Sequence, residues 1–329
     1  MLEKARKELY KGQTNCAYWH GVFGGIYLHH LRSAVYEHLI NADKILNENF
    51  SEIKEIDFYG EGKKAAILEN RDFFICADPR TGGVIRELDY KPKSVNFINT
   101  LARRRESYHK KIWERINNDI KEPLKIYEAI RNVDNRIRNG IFYDNNLRAC
   151  LIDRFIEKDL SMEDFSKCNY IDMGDFSSAP YDIEIKEGKI ELSCNGRIKG
   201  DDFFIKKDIR IAKANTIEIL YTLKNKSSHK INTLFGTEFN ISMPCADSEN
   251  YSYVSDTSSF SIKDSAGESG MKFMFSTSIE KVWHFPVMTV SQSERAYRLS
   301  YQAYCIFPIW KIELESREES RVVIHFSVA

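Results

Sequence analysis

Residues 181–194 read YDIEIKEGKIELSC. Isoleucine and leucine alternate with charged side chains on both sides of Glu187-Gly188. Alternation is the period of a half-buried strand, and Gly in the middle is a turn signal. The segment therefore predicts an antiparallel hairpin.

The same pattern recurs outward in both directions. TIEILYTLKN (216–225), KFMFSTS (272–278) and SRVVIHFSVA (320–329) read as strands. So do EIKEIDFY (52–59), KAAILEN (64–70), DFFICAD (72–78) and GVIRELDY (83–90), with DPRTGG (78–83) as the turn between the last two. Many short strands in succession predict a large antiparallel sandwich or barrel, not a βαβ fold. A helical interlude is expected at about 94–138, a stretch rich in Arg, Glu, Asn and Ile.

The N-terminal part follows another period. Residues 2–10 have Leu2, Ala5, Arg6 and Leu9 at helical spacing, with Gly12 as a stop. The chain begins inside this element with no capping residue, so a preceding segment or another chain is expected to complete it. YLHHLRSAVYEHLINADKIL (27–46) is an amphipathic helix with Leu28, Leu31, Val35, Leu39, Ala42 and Leu46 as its stripe. The expected division is a helical subdomain at 1–50 and a β domain at 51–329 carrying the helical insertion.

The totals agree with one large β unit plus a small helical part in 329 residues. Apolar residues make up 43%, enough for a sizeable core. Lys plus Arg equals Asp plus Glu at 48 each, so charge gives no case for a nucleic-acid or membrane-surface partner. The seven cysteines include no CxxC pair, which argues against a zinc site or a disulfide framework. MLEKARKELYKG lacks the apolar core of a secretory leader, and no apolar run approaches the ~18 residues of a membrane helix. A reducing, cytoplasmic setting is expected, with no metal and no cofactor.

Residues 15–25, NCAYWHGVFGG, concentrate rings in a chain otherwise rich in Lys, Glu and Ile. Aromatic faces complement the C–H faces of sugars, so Trp19 could be a stacking platform, with His20 and Asn15 binding hydroxyls. The glycines let backbone turn tightly and approach a ligand. Equally, Tyr18, Trp19 and Phe23 could plug the junction of helix and sheet. Residues 283–314 are the other aromatic-dense stretch, readable as core or as a second sugar-facing surface. Arg103 to Arg105, with Glu106, Tyr108 and His109, suit an anion site, a salt-bridged seam or a solvated helix face. Glu218, Glu238, Asp247, Glu249, Asp256 and Glu294 lie among β segments, and no spacing pairs any two as glycoside chemistry would need. The histidines form no metal motif, and no nucleophile elbow, P-loop or dinucleotide fingerprint occurs.

NCAYWHGVFGGIYLHHLR (15–32) resembles the helical-region signature of glycoside hydrolase family 57, of the α-amylase and 4-α-glucanotransferase type. RELDYKPKSVNFINTLARRRESYH (86–109), LIDRFI (151–156) and MGDF (173–176) resemble the beginning of that family's C-terminal β domain. VMTVSQSERAYRLSYQ (287–302) and FPIW (307–310) resemble its end. The resemblance implies a galactose-mutarotase-like β-supersandwich behind a helical region. It also implies a partner, an N-terminal catalytic barrel with a Glu nucleophile and an Asp acid/base, about 5 Å apart for a retaining reaction. No catalytic residue is therefore assigned to this chain. Trp19 and His20 match the family's aromatic–imidazole pair, and Tyr18, Gly21 and Gly25 match its frame. Cys16 stands where some members have Asp, and Arg154 stands in place of the His of IDHF.

The function implied is the non-catalytic C-terminal portion of an enzyme acting on α-1,4-glucan or maltooligosaccharide, with Asn15, Tyr18, Trp19, His20 and Gly21 contacting substrate. One alternative is a free-standing carbohydrate-binding or scaffolding module. The other is a mutarotase-like enzyme, for which His109, His284 and His325 show no convincing acid/base spacing.

Overall fold

The computed structural model describes residues 1–47, 51–118, 135–213, 215–243, 251–264, 270–294 and 296–328. Two helices come first, α1 (Leu2–Gly12) and α2 (His29–Leu46). They are followed by β1 (Glu52–Ile56), β2 (Ala65–Glu69), β3 (Phe73–Asp78), β4 (Val84–Tyr90) and β5 (Val95–Asn96). Helices α3 (Ser107–Asn118) and α4 (Asn135–Asn139) precede β6 (Cys150–Ile156) and the short α5 (Met162–Ser166). Then come β7 (Asp182–Lys186), β8 (Lys189–Ile198), β9 (Asp201–Lys213), β10 (Thr216–Asn225) and β11 (Ile231–Ile241). The last strands are β12 (Tyr251–Ser255), β13 (Ser259–Asp264), β14 (Gly270–Phe275), β15 (Lys281–Gln292), β16 (Tyr297–Leu314) and β17 (Glu319–Val328).

Two antiparallel sheets result. One has the order β1-β2-β3-β4-β6-β11-β16-β15, with β5 paired to β4, and the other runs β12-β13-β14-β17-β10-β9-β8-β7. The chain crosses between them repeatedly. The hairpin at 181–194 is as expected. Lys186 pairs with Lys189 across a two-residue loop, and Gly188 takes φ +70°, which favours glycine. Ile190 and Leu192 are fully buried between the sheets, with Phe155, Phe203, Tyr221 and Phe235. Full burial of each such side chain contributes about 1.5–3 kcal/mol.

One feature of this core has no sequence signature. Lys207 and Asp153 are both fully buried and pair at 2.8 Å. The ammonium also donates to the carbonyls of Gly82, Gly83 and Leu151, and Tyr181 and Tyr221 donate their hydroxyls to Asp153. Burial lowers the pKa of Lys207, against the opposing pull of Asp153. Every polar group here has a partner, the condition under which a buried pair is tolerated.

Two expectations need correction. The helical interlude does not begin at 94. Residues 95–96 form β5, the chain then runs without helix to 106, and α3 starts at Ser107. Asn96 explains part of this: its side-chain oxygen accepts from the backbone of Ile98, holding a turn in place of a helical one. The centre of the expected interlude, 119–134, lies outside the described residues. The buried face of α2 also follows the apolar stripe only in part, keeping Val35 and Ala42. It comprises His29, Arg32, Val35, Ile40 and Ala42, while Leu46 is exposed. His29 hydrogen-bonds Ser242 Oγ at 2.6 Å, and Arg32 donates to Asn99 Oδ1 at 3.0 Å. Polar residues with partners thus replace leucines against the sheet.

Candidate functional site

The link between α1 and α2 is built by local hydrogen bonds. Residues 15–17 form a 3-10 turn, and the Tyr18 hydroxyl reaches back to donate to the Gly12 carbonyl at 2.6 Å. The Trp19 indole N–H donates to Asn15 Oδ1 in a close contact. The Trp19 carbonyl accepts from Ile26 N–H at 2.9 Å. Gly25 has φ +52°, and a Cβ there would stand 2.1 Å from the Trp19 carbonyl oxygen. Only glycine fits both conditions. Gly21 lies beside the indole, where a Cβ would already touch the ring.

The backbone so fixed turns its rings outward. Tyr18 is 57% exposed, Trp19 55% and Phe23 75%, and Val22 is exposed beside them. Large apolar side chains left in solvent together mark a contact surface more often than chance exposure. The junction-plug reading does not hold for these rings. Asn15 is engaged with Trp19, so it orients the indole.

His20 turns the other way, half-buried against the sheet. Its Nε2 donates to the Gln292 carbonyl at 3.1 Å, which places Nδ1 3.8 Å from Glu106 Oε2. Its ring meets Tyr27 and Tyr108 edge-on, at 4.8 and 5.5 Å. Glu106 accepts a close hydrogen bond from the Tyr27 hydroxyl. Burial first, and then that carboxylate, push the Tyr27 phenol well above its ordinary range. Burial likewise raises Tyr108 and lowers His109. His109 Nε2 donates to the Val290 carbonyl at 3.0 Å, while Nδ1 accepts from Glu106 N–H at 3.3 Å, fixing one neutral tautomer. Gln302 donates to the Tyr27 carbonyl at 3.1 Å. The turn is thus pinned to β15 and β16.

Glu106, Tyr27 and Gln292 complete this cluster and are not evident from the sequence as partners of His20. Gln292 is 272 residues from His20, and only the sheet brings them together. The arginine run divides. Arg103 is buried on Asp144, with Nη2–Oδ1 at 2.6 Å, whereas Arg104 and Arg105 are exposed and Arg105 lies over the Tyr143 ring.

The other candidate groups have structural partners. Arg154 and Arg148 hold Glu238 at 2.8 and 3.1 Å, and together they outweigh burial and keep its carboxyl below the usual range. Glu218 pairs with Arg210 at 2.7 Å and His325 at 3.2 Å. Asp256 caps the turn at Ser258 and Ser259. Asp247 and Glu249 lie outside the described residues. His109, His284 and His325 do not converge: they face the Val290 carbonyl, the Tyr304 hydroxyl and Glu218 respectively. In 283–314 the rings go inward. Phe307 stacks on Phe165 at 4.4 Å with Trp283 beside them, and Trp310 packs on Phe235.

Family models agree with this layout. One described as alpha-amylase/4-alpha-glucanotransferase, C-terminal, matches residues 57–324, and one described as the middle domain of the same proteins matches 1–46. The 4-alpha-glucanotransferase of Thermococcus kodakarensis is 31% identical over 95% of this chain and 47% of its own length. Alpha-amylase 1 of Dictyoglomus thermophilum is 30% identical over 99% of this chain and 49% of its own. The chain thus spans about half the length of the curated relatives it matches. The crystal structure of 4-alpha-glucanotransferase from Thermococcus litoralis superposes with a TM-score of 0.83 at 30% identity, covering 98% of this chain and 46% of that one. A galactose mutarotase-like protein from Clostridium acetobutylicum, 12% identical, gives a TM-score of 0.50 over 86% of this chain and 99% of its own. That likeness concerns the fold alone.

Proposed function

The chain belongs to the alpha-amylase/4-alpha-glucanotransferase family, and from that premise we propose that it is the non-barrel half of an enzyme acting on α-1,4-glucans. In this reading residues 1–50 are a helical subdomain that borders the substrate cleft, and 51–329 are the β domain that supports it. Trp19 and Tyr18 stack on glucose rings. Asn15 orients the indole, Gly21 gives it room, and His20 with Glu106 supplies a polar edge for hydroxyls. The catalytic carboxylates belong to an N-terminal barrel, in the same polypeptide or in a separate one.

The observation that carries the proposal is the outward display of Tyr18, Trp19 and Phe23 on a turn that Gly25 and Asn15 hold in shape. Rings held open by hydrogen bonds suit a flat ligand better than a collapsing core. The six described cysteines are unpaired, which supports a reducing, cytoplasmic setting. No described helix is long and apolar enough to cross a membrane.

The test is to incubate the pure chain with maltoheptaose. Weak binding without turnover is expected, because the rate enhancement of glycosidases rests on a positioned carboxylate pair. Steady product formation above a blank would overturn the division of labour.

A further inference from the structure

Glu87 and Asp89 are two residues apart on β4 and project from the same face, opposite Cys76 and Phe74 of β3. Neither carboxyl has an ion pair or hydrogen bond among the described residues. Asp89 is only 7% exposed, and its Oδ1 is buried without a partner. Helix α2 packs against β5 and the Lys91–Lys93 turn after β4, and it brings Tyr36 into the field of both carboxyls. A buried carboxylate with no partner costs several kcal/mol, so this arrangement needs a compensating ion or proton.

Among the described residues no cation pairs with either carboxyl. Lys91 is the cation whose charge reaches Asp89, opposing the other groups there, and it is already held by Glu69 and, at 3.3 Å, by Asp43 of α2. Asp43 and Glu69 themselves add negative charge at Asp89. Lys54 of β1 is paired with Glu52. Arg86 sits 4.0 Å from Asp78 and bonds Tyr59, and Cys76 faces Glu87 from β3. The charge of Arg32, and Tyr18, also act on Tyr36. No group of three or more metal-ligating side chains assembles among the described residues. A proton is then the occupant with the right size.

We propose that Glu87 and Asp89 are a proton-holding pair that makes the docking of α2 on the sheet pH-dependent. With one carboxyl protonated, the pair carries a hydrogen-bond donor and at most one charge. With both ionised, two unpartnered charges face each other and Asp43, and α2 loosens. Burial raises both carboxyls above their ordinary range, and for Asp89 the charge of Glu87 adds to it. The folded state therefore holds a proton that the unfolded chain has released. This stabilisation is complete below the ordinary carboxyl range near pH 4 and is lost as pH rises through the raised values.

The test compares the chain with Glu87→Gln/Asp89→Asn by hydrogen exchange of the α2 amides from pH 5 to 8. Taking the ratio of variant to wild type at each pH cancels the contributions of the other groups on α2, which both proteins share. The expected ratio, variant protection over wild type, grows at least about tenfold from pH 5 to pH 8, one unit of pKa shift being a factor of ten. A ratio that does not change with pH, or a variant less protected at pH 8, overturns the proposal. The single variants Glu87→Gln and Asp89→Asn should each recover part of the effect. If neither does, the two groups are not a pair.

Discussion

The turn at 15–25 and the strand pair at 281–314 are the two ring-rich stretches of the chain, and they put their rings to opposite uses. In β15 and β16 the pleat sends alternate residues to one side, so Trp283, Phe285 and Phe307 bury together around Phe165. In the turn no such period operates. Two glycines at positive φ, Gly24 and Gly25, and the bonds from Tyr18 and Trp19 hold the rings away from the sheet. Only His20 is drawn inward. Aromatic density alone therefore says little, and the backbone that carries the rings decides whether they pack inward or stay exposed.

The contrast can be broken first at its buried end. Phe307→Ala removes a fully buried ring stacked at 4.4 Å, and a loss of about 3–5 kcal/mol is expected by chemical denaturation. A loss under 1 kcal/mol would mean that the strand pair is not packed as described. Next is Gly25→Ala. It forces a Cβ onto the Trp19 carbonyl at positive φ, and about 3 kcal/mol of local strain is expected. Hydrogen exchange should show lost protection at Ile26, whose N–H donates to that carbonyl, with β15 and β16 unchanged. Equal loss in both regions would deny that the turn is a separate local structure.

A smaller effect comes from pH, through the residue that joins the two regions. His29 opens α2 just after the turn, and its ring lies 5.2 Å from Tyr301 of β16. Burial, followed by the charge of Arg32, pulls its pKa down to about 4. The unfolded chain then binds a proton that the folded chain refuses. The stability concerned is present above about pH 6.5 and is lost as pH falls towards 4. Between pH 7 and 5 this amounts to about 2 kcal/mol. His29→Gln should flatten that slope in a series of thermal midpoints, and an unaltered slope would remove His29 from the account.

Much of this architecture is legible in the sequence, because alternation is a local signal. The first four strands and the 181–194 hairpin lie where alternation and turn residues place them. What is not legible depends on pairs distant in the chain. Lys207 and Asp153 look like ordinary surface charges until the sheets close over them. Arg32 and His29 interrupt the apolar stripe of α2, and their partners Asn99 and Ser242 lie far along the chain. At the candidate site, the glycines and rings of the turn are readable from composition. Glu106 stands in a charged run that hides its role, and Gln292 meets His20 through its backbone carbonyl, which no side-chain pattern can reveal.

Trp19→Ala gives the smallest change in stability and the most direct test of the central claim, that the turn presents its rings to a glucan. The indole is more than half exposed, so its truncation should cost less than about 1 kcal/mol in the thermal midpoint. Maltooligosaccharide affinity, measured by calorimetry on the chain joined to the proposed N-terminal barrel, should fall about tenfold or more, as for an aromatic anchor in a binding surface. A midpoint that collapses by many degrees, with affinity unchanged in the fraction that remains folded, would make Trp19 a packing residue and contradict the account.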